Sequence, residues 1–137
     1  TTQAFPRAMQ QAHVLLVDDE TMLTDMGGQM IRILGYRVTT CNDPRKALEM
    51  FQAEPDEFDL LVSDMTMPFI TGDELIEKFR TICPDFPVIL CTGFSEKMNA
   101  EKAAALGVEH FLLKPLTLRQ LGTTIRDALE GKDKSSN

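Results

Sequence analysis

Five polar residues with chemically useful side chains follow short apolar runs of the sequence. Asp18 and Asp19 follow the first run, and later runs lead into Asp64, Thr92 and Lys114. Three crowded carboxylates would repel one another without a cation, and carboxylate oxygens are the ligands that hard divalent ions such as Mg²⁺ prefer. The residue types therefore indicate a cation site with phosphate chemistry.

Asp64 is the member of this set that we expect to act as a nucleophile. It follows the central apolar run, where a carboxylate is well placed for in-line attack on phosphorus. The charge of a transferred phosphoryl group then requires hydrogen-bond donors. Lys114, the Thr92 hydroxyl and the backbone N–H groups near Met65 and Gly93 could supply them. The set thus predicts a site that accepts a phosphoryl group.

Each of these residues also has a simpler interpretation. Acidic residues after a strand often cap the next helix, and Asp64 alone would be read as a loop residue. Thr92 alone would be a turn hydroxyl, and Lys114 before a proline would be surface charge. Only their joint placement after four different runs favours the functional interpretation.

These residues can meet only if the apolar runs form neighbouring strands. The runs cover residues 13–17, 36–40, 59–63, 87–91 and 109–113. Apolar residues at helical spacing lie between them. The first helix ends before Gly35, and the next four begin after the capping residues Asp43, Thr71, Ser95 and Thr117. We place the fourth helix between Ser95 and Gly107.

The strict alternation of five strands and five helices predicts an α/β fold. Such chains form a doubly wound, flavodoxin-like parallel sheet with helices on both faces. With strand order 2-1-3-4-5, the polar residues converge at the carboxyl ends of the strands. The polar ends 1–12 and 131–137 show no pattern, so we expect flexible segments on either side of one domain, residues 13–130.

The composition narrows the range of partners. The 137 residues fit one domain, and 14 Lys and Arg against 21 Asp and Glu give a net charge of −7. An acidic chain is a poor ligand for nucleic acid, and no apolar run could span a membrane. The three widely spaced cysteines suggest reduced thiols. We therefore expect a cytoplasmic domain without nucleic-acid or membrane contacts.

From about residue 13 to 129, the chain resembles the receiver domains of response regulators in two-component signal transduction. Five motifs carry the resemblance: VDDE at 17–20, SDMTMP at 63–68, Gly72, Thr92-Gly93, and FLLKP at 111–115. The resemblance implies a CheY-like fold.

The resemblance also implies a set of residue roles. Asp64 would take a phosphoryl group from a kinase phosphohistidine in a reaction that depends on Mg²⁺ or Mn²⁺. Asp18 and Asp19 would hold the cation together with Asp64 and the backbone carbonyl of Thr66. Lys114 would pair with the phosphate, and the peptide bond after it would be cis, as is common in the family. The domain would catalyse its own phosphorylation and dephosphorylation and would not be an enzyme in the usual sense.

Some positions depart from the commonest family pattern. Thr92 and Phe111 would form the switch. Many members carry Tyr where this chain has Phe111, so a switch that depends on a tyrosine hydroxyl is excluded, and a change of rotamer or packing remains. Gly93 stands where many family members have Ala, and it could make the following loop more flexible. Thr66 and Phe94 occupy the positions that tune loss of the phosphoryl group. We expect Phe94 to shield the acyl phosphate from water.

The resemblance suggests a histidine kinase or a histidine phosphotransfer domain as partner. The apolar stripe of the first helix, which includes Met22, Leu23, Met26 and Met30, could be core. Alternatively, its outer edge and Leu116 could dock a kinase four-helix bundle.

Phosphorylation would change partner preference at the last two helices and the fifth strand, and could drive homodimerisation. Residues 90–96 resemble receivers fused to sensor histidine kinases, so the parent could be a hybrid kinase or a stand-alone response regulator.

Three alternatives compete with this interpretation. A haloacid dehalogenase-type phosphatase also uses an Asp nucleophile and Mg²⁺, but that family has Asp-x-Asp after the first strand. A flavin-binding protein would carry a Gly-, Ser- or Thr-rich phosphate loop there, and residues 18–20 are Asp-Asp-Glu. A docking module that is independent of phosphorylation would be expected to lack one of the five site residues.

Overall fold

This computed structural model describes residues 12–93, 101, 104–105 and 107–135 of the chain. A five-stranded parallel sheet forms its centre, with the predicted order β2-β1-β3-β4-β5. Every residue of β1, β3 and β4 is buried, as expected for parallel strands that are covered on both faces. The strands are β1 (His13–Val17), β2 (Arg37–Cys41), β3 (Leu60–Asp64), β4 (Val88–Thr92) and β5 (Phe111–Leu113).

Four α-helices and one turn of 3-10 helix connect the strands within the described residues. They are α1 (Thr21–Ile33), α2 (Pro44–Ala53), the 3-10 turn Pro55–Glu57, α3 (Gly72–Ile82) and α4 (Leu118–Ser135). The helix predicted between Ser95 and Gly107 lies largely outside the described residues. None of the described helices has the length and apolarity that a membrane crossing requires.

The described structure includes residues on both sides of the predicted domain range 13–130. Ala12 is buried, and its carbonyl accepts a hydrogen bond of 3.0 Å from the Arg37 N–H. At the other end, α4 continues to Ser135. Gly131 is a poor helix former, so the sequence suggested an end near residue 130, but residues 131–135 contain no proline and the helix continues through them.

Local hydrogen bonds explain where the helices begin. Asp43 caps α2, because its Oδ1 accepts from the Arg45 N–H at 2.9 Å, and Pro44 occupies the first turn. Thr71 and Glu74 form the predicted capping box of α3. The Thr117 hydroxyl accepts from the Gln120 N–H at 3.2 Å before α4. In contrast, Glu20 makes no side-chain cap at α1.

Two apolar clusters hold the helices against the sheet. On one face, α2 and α3 bury Phe51 and Phe79, whose rings stack at 4.1 Å. On the other face, Ile31 of α1 packs with Leu121 and Ile125 of α4. The packing fixes the sheet between two helical layers and therefore fixes the positions of its strand ends.

Candidate functional site

The carboxyl edge of the sheet gathers the residues that the sequence singled out. Asp64 and Thr92 are the last residues of β3 and β4. Asp18 and Lys114 directly follow β1 and β5. Since β1, β3, β4 and β5 are consecutive neighbours, the strand order itself brings these side chains to one edge.

Three carboxylates form the acidic part of this edge. One oxygen from each of Asp18, Asp19 and Asp64 lies within 4.8 Å of the other two. Asp18 and Asp64 are buried, with 5% and 6% of their surface exposed, whereas Asp19 is exposed. A set of carboxylate oxygens that is open to solvent on one side is the donor chemistry of a hard divalent cation, so these residues fit Mg²⁺.

Lys114 balances part of this negative charge. Its Nζ lies 2.7 Å from Asp64 Oδ1 and 3.1 Å from Asp18 Oδ2. Burial alone would lower the pKa of Lys114, but its hydrogen bond to Asp64 and the charges of Asp64 and Asp18 outweigh burial and raise that pKa above its ordinary value. The Lys114 N–H donates to the Thr92 carbonyl at 2.8 Å, and the Lys114-Pro115 peptide bond is cis, as the resemblance implied.

The loop after Asp64 folds back closely on β3. The Gly72 N–H donates to the Met65 carbonyl at 2.8 Å. A Cβ at Gly72 would overlap the Asp64 carbonyl oxygen and would lie 2.9 Å from Met65 Cα. Only glycine therefore allows α3 to start this close to Asp64. Thr66, the predicted carbonyl ligand, lies in this loop and is exposed.

One backbone donor that we predicted for phosphate has a different partner. The Met65 N–H donates to the Cys91 carbonyl at 2.9 Å, which extends the pairing of β3 with β4. In this structure the Met65 N–H therefore belongs to the sheet, because the ladder continues one residue past Asp64. Gly93, the other predicted donor, directly follows Thr92 and is half-buried.

The two predicted switch residues lie on neighbouring strands. Thr92 ends β4 and is 5% exposed. Phe111 begins β5, is half-buried and packs against the apolar cluster between the sheet and the α2–α3 layer. Phe94 lies outside the described residues, so its predicted shielding of the acyl phosphate stays a prediction.

The apolar stripe of α1 has an exposed edge beside the site. Met22 and Met26 are 72% and 51% exposed, so these two are not core residues. Met30 is half-buried and packs against the cluster between the sheet and the α1–α4 layer. Leu23, Met26 and Leu116 line a crevice of about 70 Å³. Asp18, Asp64 and Lys114 line the same crevice.

Three residues near the site were not found from the sequence. Asn42 contacts the loop that carries Asp18. Arg45 places its guanidinium 3.6 Å from the centroid of the exposed Phe69 ring, in the loop after Asp64. The only local signal for Asn42 and Arg45 was the neighbouring pair Asp43-Pro44, which predicted the start of a helix and no functional role.

Comparison with known proteins identifies the family of this chain. The family model described as "Response regulator receiver domain" matches residues 14–126. The sensor kinase CckA of Brucella abortus is 35% identical over 89% of this chain, which spans 13% of that protein's length.

Solved structures agree with this match. A receiver domain protein from Clostridium thermocellum superposes with a TM-score of 0.85 at 29% identity, covering 89% of this chain and 97% of that one. The chemotaxis protein CheY4 of Vibrio cholerae gives a TM-score of 0.79 at 30% identity, covering 87% and 99% of the two chains. With its strand order, its acidic edge and its matching motifs, this chain belongs to the family of response regulator receiver domains of two-component systems.

Proposed function

We propose that this receiver domain accepts a phosphoryl group on a carboxylate oxygen of Asp64. The donor is a phosphohistidine of a histidine kinase or a histidine phosphotransfer domain. The observation that carries the proposal is the position of Lys114 Nζ, 2.7 Å from Asp64 and 3.1 Å from Asp18 in a three-carboxylate cluster. A lysine that contacts two buried carboxylates, one of which ends the central strand β3, is suited to bind a phosphoryl group that arrives on Asp64.

The chemistry is a simple displacement at phosphorus. The Asp64 oxygen forms a bond to phosphorus as the nitrogen–phosphorus bond of the phosphohistidine breaks, and the imidazole leaves with the bonding electron pair. Lys114 and the Thr92 hydroxyl stabilise the charge on the transferred group. Mg²⁺, held by Asp18, Asp19, Asp64 and the Thr66 carbonyl, would neutralise charge on the phosphoryl oxygens.

The product changes the local charge and thereby drives the switch. Acyl phosphate formation adds a dianionic group where Lys114 now contacts the Asp64 carboxylate. Lys114 follows that charge, and the Thr92 hydroxyl turns towards the new phosphate oxygens. Phe111, half-buried on the neighbouring strand, responds by a change of rotamer or packing, because it has no hydroxyl that could gain or lose a hydrogen bond.

The donor docks on the exposed edge of α1. Met22, Leu23, Met26 and Leu116 offer apolar contacts around the crevice that Asp64 and Lys114 also line. A histidine-bearing helix that packs here would present its imidazole to Asp64.

The relatives of this chain support a proposal for the protein in which the domain works. The similarity to the sensor kinase CckA of Brucella abortus supports a receiver within a hybrid histidine kinase, and a stand-alone regulator is the alternative. The three cysteines are free, which supports a reducing, cytoplasmic location. The folded unit covers residues 13–130 together with the remainder of α4.

Intact mass measurement after incubation with acetyl phosphate tests the proposal. Wild-type protein should gain one phosphoryl group with Mg²⁺ and none with excess chelator. Asp64→Asn should gain none, whereas Asp56→Asn, at an exposed position in the 3-10 turn, should match the wild type. A phosphoryl group that persists in Asp64→Asn, or no gain in the wild type, would contradict the assignment.

A further inference from the structure

Asn42 links the end of β2 to the loop that carries Asp18 and Asp19. Its Nδ2 donates one hydrogen bond of 2.9 Å to the Asp18 carbonyl and another of 2.9 Å to the Thr24 hydroxyl. An amide nitrogen carries two hydrogens, so these two contacts use its full donor capacity. One side chain thus bridges the β1–α1 loop and the second turn of α1.

Both acceptors belong to buried residues, although Asn42 itself is exposed. Asp18 is 5% exposed and Thr24 is 1% exposed. The Thr24 hydroxyl donates onward to the Thr21 carbonyl at 3.0 Å. The two hydrogen bonds run in the same direction, from Asn42 through Thr24 into the first turn of α1, an arrangement in which each bond strengthens the next.

The Asp18 backbone is consequently tied to the end of β2 on both sides. Its N–H donates to the Cys41 carbonyl at 3.2 Å, and its carbonyl accepts from Asn42. The Asp18 side chain is held as well, because its Oδ1 accepts a hydrogen bond of 3.0 Å from the Glu20 N–H. Glu20 makes no side-chain cap at α1, and Asn42 adds a side-chain contact to the start of this helix by donating to the Thr24 hydroxyl.

We propose that Asn42 is a positioning residue for the divalent cation site. It holds the β1–α1 turn so that the Asp18 and Asp19 carboxylates face the same point as Asp64. Asn42 touches neither the cation nor the phosphoryl group, and its effect passes through the Asp18 backbone. This inference rests on the proposed function, because it assumes that these three carboxylates bind Mg²⁺.

Mg²⁺ affinity, measured without any phosphoryl donor, tests this role. The dissociation constant is read from the shifts of backbone amide signals as Mg²⁺ is added to wild type, Asn42→Ala and Gln52→Ala. Gln52 is an exposed amide side chain on α2 and serves as the matched control. Outer partners of metal ligands commonly change affinity by 10–100-fold, and because Asn42 is exposed and water can replace part of its contacts, we expect a weakening of roughly 3- to 10-fold.

Two further readouts separate positioning from general damage. Asn42→Ala should unfold at a lower temperature than Gln52→Ala in excess chelator, because it loses two hydrogen bonds to buried residues, but it should remain fully folded at the temperature of the Mg²⁺ titration. The Glu20 amide, whose N–H contacts Asp18, should exchange its hydrogen faster in metal-free Asn42→Ala than in the wild type.

The outcomes distinguish this inference from the proposed function. If wild type fails to bind Mg²⁺, the metal part of the proposed function is wrong, and the role of Asn42 is wrong with it. If wild type binds Mg²⁺ and Asn42→Ala binds it equally well, only the role of Asn42 is overturned. Equal weakening in Gln52→Ala would also overturn that role.

Discussion

At the scale of the residue, the charge balance of the site depends on Lys114. Two buried carboxylates face it, at 2.7 Å and 3.1 Å from its Nζ. Removing one partner of a buried ion pair leaves an uncompensated charge, which costs more than the pair contributes. Lys114 therefore serves the folded state as well as the proposed chemistry.

Lys114→Met should destabilise the metal-free protein. We expect a loss of roughly 2 kcal/mol in the free energy of unfolding, which is less than the ~3–5 kcal/mol for a fully buried pair because the Lys114 side chain is 24% exposed and solvent screens part of its charge. Urea unfolding in excess chelator measures this loss, and added Mg²⁺ should restore part of it by neutralising the carboxylates. Equal stability of the two proteins in chelator would show that the contact contributes nothing.

The same residue predicts a dependence on pH. The pKa of Lys114 is raised above its ordinary value of 10.5 in the folded protein, so its contribution to stability is complete at every pH below 10.5. Its contribution is lost as the pH rises further. The difference in unfolding free energy between wild type and Lys114→Met should therefore stay level from pH 7 to 9 and shrink in strongly alkaline buffer. A difference that already vanished by pH 9 would contradict this account.

The three cysteines should differ in reactivity. Burial, together with the negative charge of Asp64, raises the pKa of the Cys91 thiol to about 12. Cys41 is also buried, whereas Cys83 is half-buried at the end of α3. A thiol reagent at pH 8 should modify Cys83 first in the native protein, and peptide mapping would identify the site. Rapid modification of Cys91 would contradict its burial beside Asp64.

The principal site residues could be predicted because their positions depend only on strand ends. Asp18, Asp64, Thr92 and Lys114 each follow an apolar run, and a parallel sheet brings such ends together. The partners of Asn42 and of Met65 depend on loop conformation and on how far the ladder extends, which no periodicity in the sequence encodes.

At the scale of the element, the approach of α3 to β3 positions Asp64, the proposed phosphoacceptor. The capping box of Thr71 and Glu74 starts α3 at Gly72, directly against the Asp64 carbonyl. The motif predicted the box, since a Thr and a Glu three positions apart precede an apolar stripe. The close contact that requires glycine appears only in three dimensions.

Gly72→Ala should disturb both the fold and the site. The added methyl group would lie 2.8 Å from Leu90 Cδ1 and 2.9 Å from Met65 Cα, so the start of α3 must move away. We expect a loss of about 1–3 kcal/mol in unfolding free energy, which is typical of overpacking, and slower phosphorylation by acetyl phosphate. Urea unfolding and intact mass measure the two effects.

Gly131→Ala is the matched control for this substitution. A Cβ at Gly131 meets nothing within 4 Å, and the residue is exposed on α4. Alanine is the better helix former, so this variant should be as stable as the wild type or up to about 1 kcal/mol more stable. Similar losses for both variants would show that glycine at position 72 has no special packing role.

The ends of the elements were less predictable than their existence. Periodicity identified all five strands, with boundaries that differ from the observed ones by at most two residues. It placed the end of the last helix near residue 130, whereas α4 continues to Ser135. The last turns carry polar residues, and polar residues fit an exposed helix as well as they fit a tail.

At the scale of the whole molecule, the two helical layers are not equivalent. The α2–α3 layer buries a cluster of three aromatic rings, Phe51, Phe79 and Phe86. The α1–α4 layer leaves Met22 and Met26 exposed beside the crevice that reaches Asp64. The sequence could not decide between core and surface for this stripe, because methionine suits both.

Met26→Ala should impair transfer from a phosphorylated kinase more than transfer from acetyl phosphate. Fewer than about 30% of interface residues cost more than 1 kcal/mol when truncated. We expect Met26 to be one of them, because it is 51% exposed and lines the crevice beside Asp64, and a loss of about 1 kcal/mol lowers the kinase-dependent rate about fivefold. Ile33→Ala is the control, since Ile33 is 71% exposed on the same helix but does not line the crevice. Equal rates for the two variants with the kinase would place the docking surface elsewhere.

The central claim is that Asp64, and no other carboxylate of the cluster, carries the phosphoryl group. Borohydride reduces an acyl phosphate to an alcohol, so it converts a phosphorylated aspartate into homoserine at the same position. Protein treated with acetyl phosphate and Mg²⁺, then reduced and digested, should contain homoserine at position 64 by tandem mass spectrometry. Homoserine at position 18 or 19 instead, or at no position, would contradict the account.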